Sequence, residues 1–107
     1  MSDAEGTAVP LEEVRARLEE IDRDLLRLVA ARLEAANLAI RIRIEQGEEV
    51  CDPAQERRVL ARARRWADEA GLPPALVETI FRALIEAGKE RAGTPCEGTR
   101  PMAVIGY

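Results

Sequence analysis

The stretch LEEVRARLEEIDRDLLRLVAARLEAANLAIRIRIEQ, residues 11–46, decides the fold. Val14, Leu18, Ile21, Leu25, Leu28, Ala35, Ala39 and Ile42 recur in it at intervals of four and three, with Arg32 as the one polar interruption. That interval marks one face of an α-helix and gives a heptad-like seam. Pro10 suits a first helical position, and Glu12 and Glu13 follow where the helix dipole favours negative charge. No glycine or proline intervenes before Gly47. The pattern therefore predicts a helix over 10–46, about 55 Å long at ~1.5 Å per residue. A compact domain of this size is only roughly 35 Å across. A lone globule cannot cover such a helix, so a second copy is expected to bury the seam in a homodimer of long paired helices.

Downstream, Asp52 as N-cap, Pro53 at the first position and Gln55 at the third predict a second helix. Val59, Leu60, Ala63, Trp66, Ala67 and Ala70 form its apolar face, and Gly71 ends it. A third helix follows Pro73-Pro74, with Leu76, Val77, Ile80, Phe81, Leu84 and Ile85 as its buried face and Gly93 and Pro95 as its stop. The expected class is all-α: a three-helix chain with a long first helix. Residues 1–9 read as a flexible lead-in, 10–93 as the helical domain and 94–107 as a C-terminal tail with an apolar end, PMAVIGY.

Composition narrows the chemistry. With 107 residues, one small-cored domain is expected, and 47% hydrophobic residues favour folding over disorder. A net charge of −4 argues against a nucleic-acid coat or a basic membrane patch. The absence of histidine removes the commonest general base and the commonest metal ligand. No metal and no cofactor are expected. Cys51 and Cys96 lie far apart without metal spacing, and the reading for a cytoplasmic protein is two reduced thiols, with a disulfide as the alternative. MSDAEGTAVP lacks a signal pattern and no apolar run approaches ~18 residues, so a cytoplasmic location is expected.

A few charges do not fit a plain helical bundle. Arg32 breaks the apolar seam, and a buried guanidinium requires an anionic partner. Arg43 lies eleven residues on, three turns away on nearly the same face. Gln55 and Glu56 open the next helix and can fold back over both. Arg15 stands about 25 Å before Arg32 along the axis, so only an antiparallel partner helix can bring it to the same place. Plainer readings remain open at this point. Arg32 can pair with an acid of a partner helix, Arg15 and Arg43 can be solvated, and Asp52 and Gln55 are already explained as a helix cap. Glu56 can pair with the arginines that follow it, to little energetic effect. The run RRVLARARR, residues 57–65, reads as a solvated face.

In this order and spacing, R-x5-ID, the arginine after LLRLVAA, a cation eleven residues later, D-P-x-x-E and GLPPALVETIFRALIE resemble the all-helical class of chorismate mutase, over residues 11–92. The resemblance implies an intertwined helical homodimer with two active sites and chorismate as a dianionic substrate. It implies that Arg15 comes from the other subunit to bind one carboxylate and that Arg32 binds the second. Asp52 and Glu56 would approach the ring hydroxyl. Arg43 takes the usual lysine place beside the ether oxygen of the breaking bond, and Gln55 the place of another arginine. Gly88 falls where a serine is frequent, and Ala92 where a glutamine usually gives a second donor. The ending GKERAG, residues 88–93, resembles an intracellular subclass typical of actinobacteria, which also carries arginine at the lysine place. That likeness implies a heptulosonate-phosphate synthase as activating partner. Three other readings compete: an isochorismate–pyruvate lyase, an amino-deoxychorismate mutase, and a non-catalytic helical dimer that regulates a pathway enzyme.

Overall fold

A computed structural model of the chain describes residues 8–92. Among the described residues there are three helices and no strand: α1, Leu11–Glu45; α2, Pro53–Ala70; and α3, Pro74–Ala92. The predicted all-α class and its three-helix order are observed. Most of the lead-in and the whole predicted tail, residues 94–107, lie outside the described residues.

Local chemistry accounts for the corners. α1 is closed off by Gly47, two residues past its end, whose φ of +80° lies in the left-handed region that glycine enters without steric cost. There the Gly47 N–H donates to the Ile44 carbonyl and the Glu48 N–H to the Arg43 carbonyl, the paired closure of a Schellman motif. α2 ends the same way at Gly71, φ +71°, with Leu72 donating to Ala67. α2 starts on Asp52, whose Oδ1 accepts from the Gln55 N–H at 3.2 Å, with Pro53 at the first position. Pro74 opens α3 in the position where its missing N–H costs nothing.

The chain divides into two compact units, residues 1–31 and 32–107. In the first, the described residues form the front part of α1, and none is buried. Its seam is open along its length, from Val14 at 42% exposure to Leu28 at 68%.

The second unit holds the core. Ala63 and Ala67 of α2 and Val77 of α3 are buried together, with Phe81 packed on them. α2 and α3 lie against each other, and small residues at 63 and 67 permit the approach. On the surface, Arg64 of α2 and Arg82 of α3 both donate to Glu78, at 3.1 and 2.8 Å, and their hydrogen bonds hold the Glu78 carboxyl below its usual range. The rear of α1 reaches α3 at Gly88, which is buried. A methyl group there would stand 3.5 Å from the Ala36 Cβ, an ordinary contact.

The apolar face of α2 and the expected buried face of α3 are not covered to their edges. Trp66, Leu76 and Ile80 are exposed by 48%, 50% and 44%, and Ala70 is exposed as well. The helical period selects a face correctly but does not say how far along it the neighbour reaches. Cys51 is disulfide-bonded, which is the alternative reading and not the reduced thiol; Cys96 lies outside the described residues. Among the described residues, no helix is long and apolar enough to cross a membrane.

Candidate functional site

The second unit contains a cavity of about 360 Å³, a size suited to a small organic molecule. Three segments wall it: the rear of α1, the loop and first turns of α2, and the end of α3. Of the residues singled out from sequence, Arg32, Arg43, Asp52, Gln55, Glu56 and Gly88 all line it. Ala35, Ala36 and Ala39 keep the α1 wall low between the two arginines. Arg15 belongs to the first unit, where it is exposed.

Arg43 is the most tightly held of these groups. Its Nη1 lies 2.8 Å from Glu48 Oε1 and 3.2 Å from Asp52 Oδ2, and its Nε donates to the Glu49 carbonyl at 2.9 Å. The α1 terminus explains the arrangement. The left-handed Gly47 turns the chain so that Glu48 bonds the Arg43 carbonyl through its N–H and the Arg43 guanidinium through its carboxylate. Asp52 divides its carboxylate in the same way, one oxygen capping α2 and the other on Arg43. Gln55 lines the cavity, and its amide oxygen accepts from Arg58 Nε at 3.0 Å.

The far wall carries a cation that sequence reasoning missed. Lys89 lines the cavity, is only 8% exposed, and lies 3.1 Å from Glu56 Oε2 and 3.2 Å from Glu86 Oε2. Burial is the strongest single influence on its ammonium and works to lower the pKa. The hydrogen bonds and charges of Glu56 and Glu86 together outweigh it, so the pKa is raised above the ordinary 10.5. Lys89 therefore joins Arg32 and Arg43 as a cation of the cavity. The available signal was the position of Lys89 next to Gly88, which had been read only as part of a helix ending.

Arg32 also departs from expectation. Its pairing with an acid is not seen among the described residues; its guanidinium lies over the Phe81 ring, 5.4 Å from the centroid. The ring face supplies the negative electrostatic partner that the seam position lacks. Burial first, and the charge of Arg62 second, lower the Arg32 pKa from its ordinary value. Arg62, from the run read as a solvated face, lines the same cavity and lies 5.0 Å from the Trp66 centroid. Its spacing of seven from Gln55 and three from Val59 put it on the cavity face of α2, a signal present in the sequence but not used.

Among the described residues no group of three or more histidine, cysteine or acidic side chains could hold a metal. The cavity offers fixed cations at several points, two carboxylates on one side, and a floor of small apolar groups. Such a lining has the chemistry to hold a small anion and to stabilise negative charge that grows upon it.

A short all-helical chain with a cation-lined cavity shared by three helices is the class that fold and site define. The chain belongs to the chorismate mutase type II family, which matches residues 14–92. It is 32% identical over 79 residues to a chorismate mutase of Methanocaldococcus jannaschii, covering 74% of this chain and 80% of that protein. It is 28% identical over 101 residues to the T-protein of Enterobacter agglomerans and 29% over 72 residues to that of Haemophilus influenzae. These alignments cover 90% and 67% of this chain but only 27% and 19% of the T-proteins. No solved structure is a significant match to the chain.

Proposed function

We propose that the chain is a chorismate mutase, rearranging chorismate to prephenate. The observation that carries this reading is the cavity within the family-matched segment, where Arg32, Arg43, Asp52 and Glu56 converge. In the reaction the ether C–O bond breaks as a new C–C bond forms, in one concerted cycle of electrons. No proton moves, no nucleophile attacks and no cofactor is needed, which suits a chain without histidine. The protein holds the side chain over the ring, which is an orientation effect. It also places a fixed cation where the ether oxygen gains negative charge, which lowers the barrier more than it tightens substrate binding.

In this assignment Arg43 faces the ether oxygen. Its three bonds to the loop fix its direction before substrate arrives, so little reorganisation accompanies reaction. Arg32 forks onto one carboxylate. Asp52 and Glu56 meet the ring hydroxyl, with Gln55 and Gly88 completing the lining. The second carboxylate falls to Arg15 supplied by a second copy of the chain. The exposed seam of the first unit supports that homodimer, since a row of apolar residues open to water favours burial against another helix. The arginine at 43 and the GKERAG ending support the actinobacterial-type subclass, its cytoplasmic setting and a heptulosonate-phosphate synthase as partner. The domain would be residues 10–93, with 94–107 as an appended tail.

Incubating the purified protein with chorismate tests the activity directly. Chorismate absorbance should fall and chromatography should show prephenate. Salicylate with pyruvate from a parallel incubation with isochorismate would instead make it a lyase, and both substrates left unchanged would leave a non-catalytic dimer.

A further inference from the structure

We propose that Arg62 is a second carboxylate-binding residue of the cavity, gripping together with Arg32 the same carboxylate of a dicarboxylate ligand. Both side chains line one cavity. Neither has an ion pair or a hydrogen bond among the described residues, and each instead lies on an aromatic ring, Phe81 under Arg32 and Trp66 under Arg62. The Nε of Arg62 is buried and has no hydrogen-bond partner among the described residues. Arg43 and Lys89, the other cations of the cavity, each hold two carboxylates.

Two like charges that line one cavity, neither paired with an acid among the described residues, repel, and Arg62 adds to burial in lowering the Arg32 pKa. A carboxylate seated between them removes the repulsion and supplies acceptors. Stacking on a ring leaves the in-plane N–H edge of a guanidinium available, and that edge matches a carboxylate in a forked pair. Contact with a ring also restricts each guanidinium, so less freedom is lost on binding than with a mobile surface arginine. The inference rests on reading the cavity as the site of an anionic substrate, but not on any reaction occurring there.

Glutarate, a transparent dicarboxylate, is the probe. Trp66 is the only tryptophan of the chain, so an anion arriving at Arg62 should change its emission saturably, while potassium chloride at equal ionic strength should not. Calorimetry should show glutarate binding weakened in Arg62→Met and partly restored in Arg62→Lys. With chorismate, Arg62→Met should raise KM about tenfold to a hundredfold, the range for loss of a charged hydrogen bond, with kcat changed far less. Equal glutarate affinity in wild type and Arg62→Met, or an unchanged KM, would overturn the assignment. So would an Arg62→Met chain that loses only self-association in sedimentation, since Arg62 would then belong to a contact between copies. The two readings fail separately. Glutarate binding without chorismate turnover removes the mutase and leaves the anion pair; turnover indifferent to Arg62 does the reverse.

Discussion

The cations of the cavity stand in two opposite states. At the loop wall and the end of α3, Arg43 and Lys89 are each bound to carboxylates of the chain. At the α1–α2 wall, Arg32 and Arg62 rest on rings and have no ion pair among the described residues. A paired cation keeps its direction but has part of its charge already answered. An unpaired one keeps its full charge for a ligand. The first kind suits stabilising a transient charge at a fixed point, and the second suits capturing a stable anion. The contrast separates turnover from affinity, and it can be tested as such.

The largest effect is expected at the paired cation Arg43. Arg43→Ala should lower kcat by about 10²–10³, the usual cost of losing one preorganised donor to a developing oxyanion. KM should change modestly and the circular dichroism spectrum should stay helical, while Arg41→Ala, exposed on another face, should be nearly silent. A near-normal kcat in Arg43→Ala would make the corner structural and dissolve the contrast.

Next in size is the loss at the proposed carboxylate-binding positions, which also tests the proposed assembly. Arg15→Ala and Arg32→Ala should each be severely impaired alone. Refolded together in equal amounts, they should regain roughly a quarter of wild-type activity, because half of the two-fold dimers then carry one intact site of two. No recovery, or a folded monomer in sedimentation, would break the shared-site assignment.

The smallest effect concerns Lys89 and alkaline pH. Its folded pKa is raised, so its contribution to stability is fully present below the unfolded value of 10.5 and is lost as pH rises through the folded value. The urea midpoint of wild type should therefore exceed that of Lys89→Met by a constant margin from neutral pH up to about 10.5, and the margin should narrow above it. A margin independent of pH in that alkaline range would show that the ammonium charge contributes nothing there.

Much of this arrangement was legible in the sequence because chain ends of helices are written locally. Gly47, Asp52-Pro53, Gly71 and Pro73-Pro74 each act through backbone conformation or a cap within a few residues. The same locality made Asp52 and Glu56 readable as a return toward Arg43. What escaped depends on contacts between distant segments. Arg32 looked as though it needed an acid because nothing in its own helix says that Phe81, 49 positions on, presents a ring to it. Lys89 acquires its meaning only when α3 lies beside Glu56. Trp66 belongs by period to the apolar face of α2, yet the nearby core is made of Ala63 and Ala67, so close packing occurs at the small residues and leaves the large one at the margin.

The loop between α1 and α2 has a consequence for engineering. Surface loops commonly accept inserted residues, because their ends need only remain near each other. This one is stitched to a single side chain at three places: the Glu48 carboxylate, the Glu49 carbonyl and the Asp52 carboxylate all converge on Arg43. An added residue between 48 and 52 would shift at least one of those stitches out of register while leaving the helices intact. Libraries that vary this loop should therefore change its side chains and keep its length, whereas tags and fusions belong elsewhere on the chain.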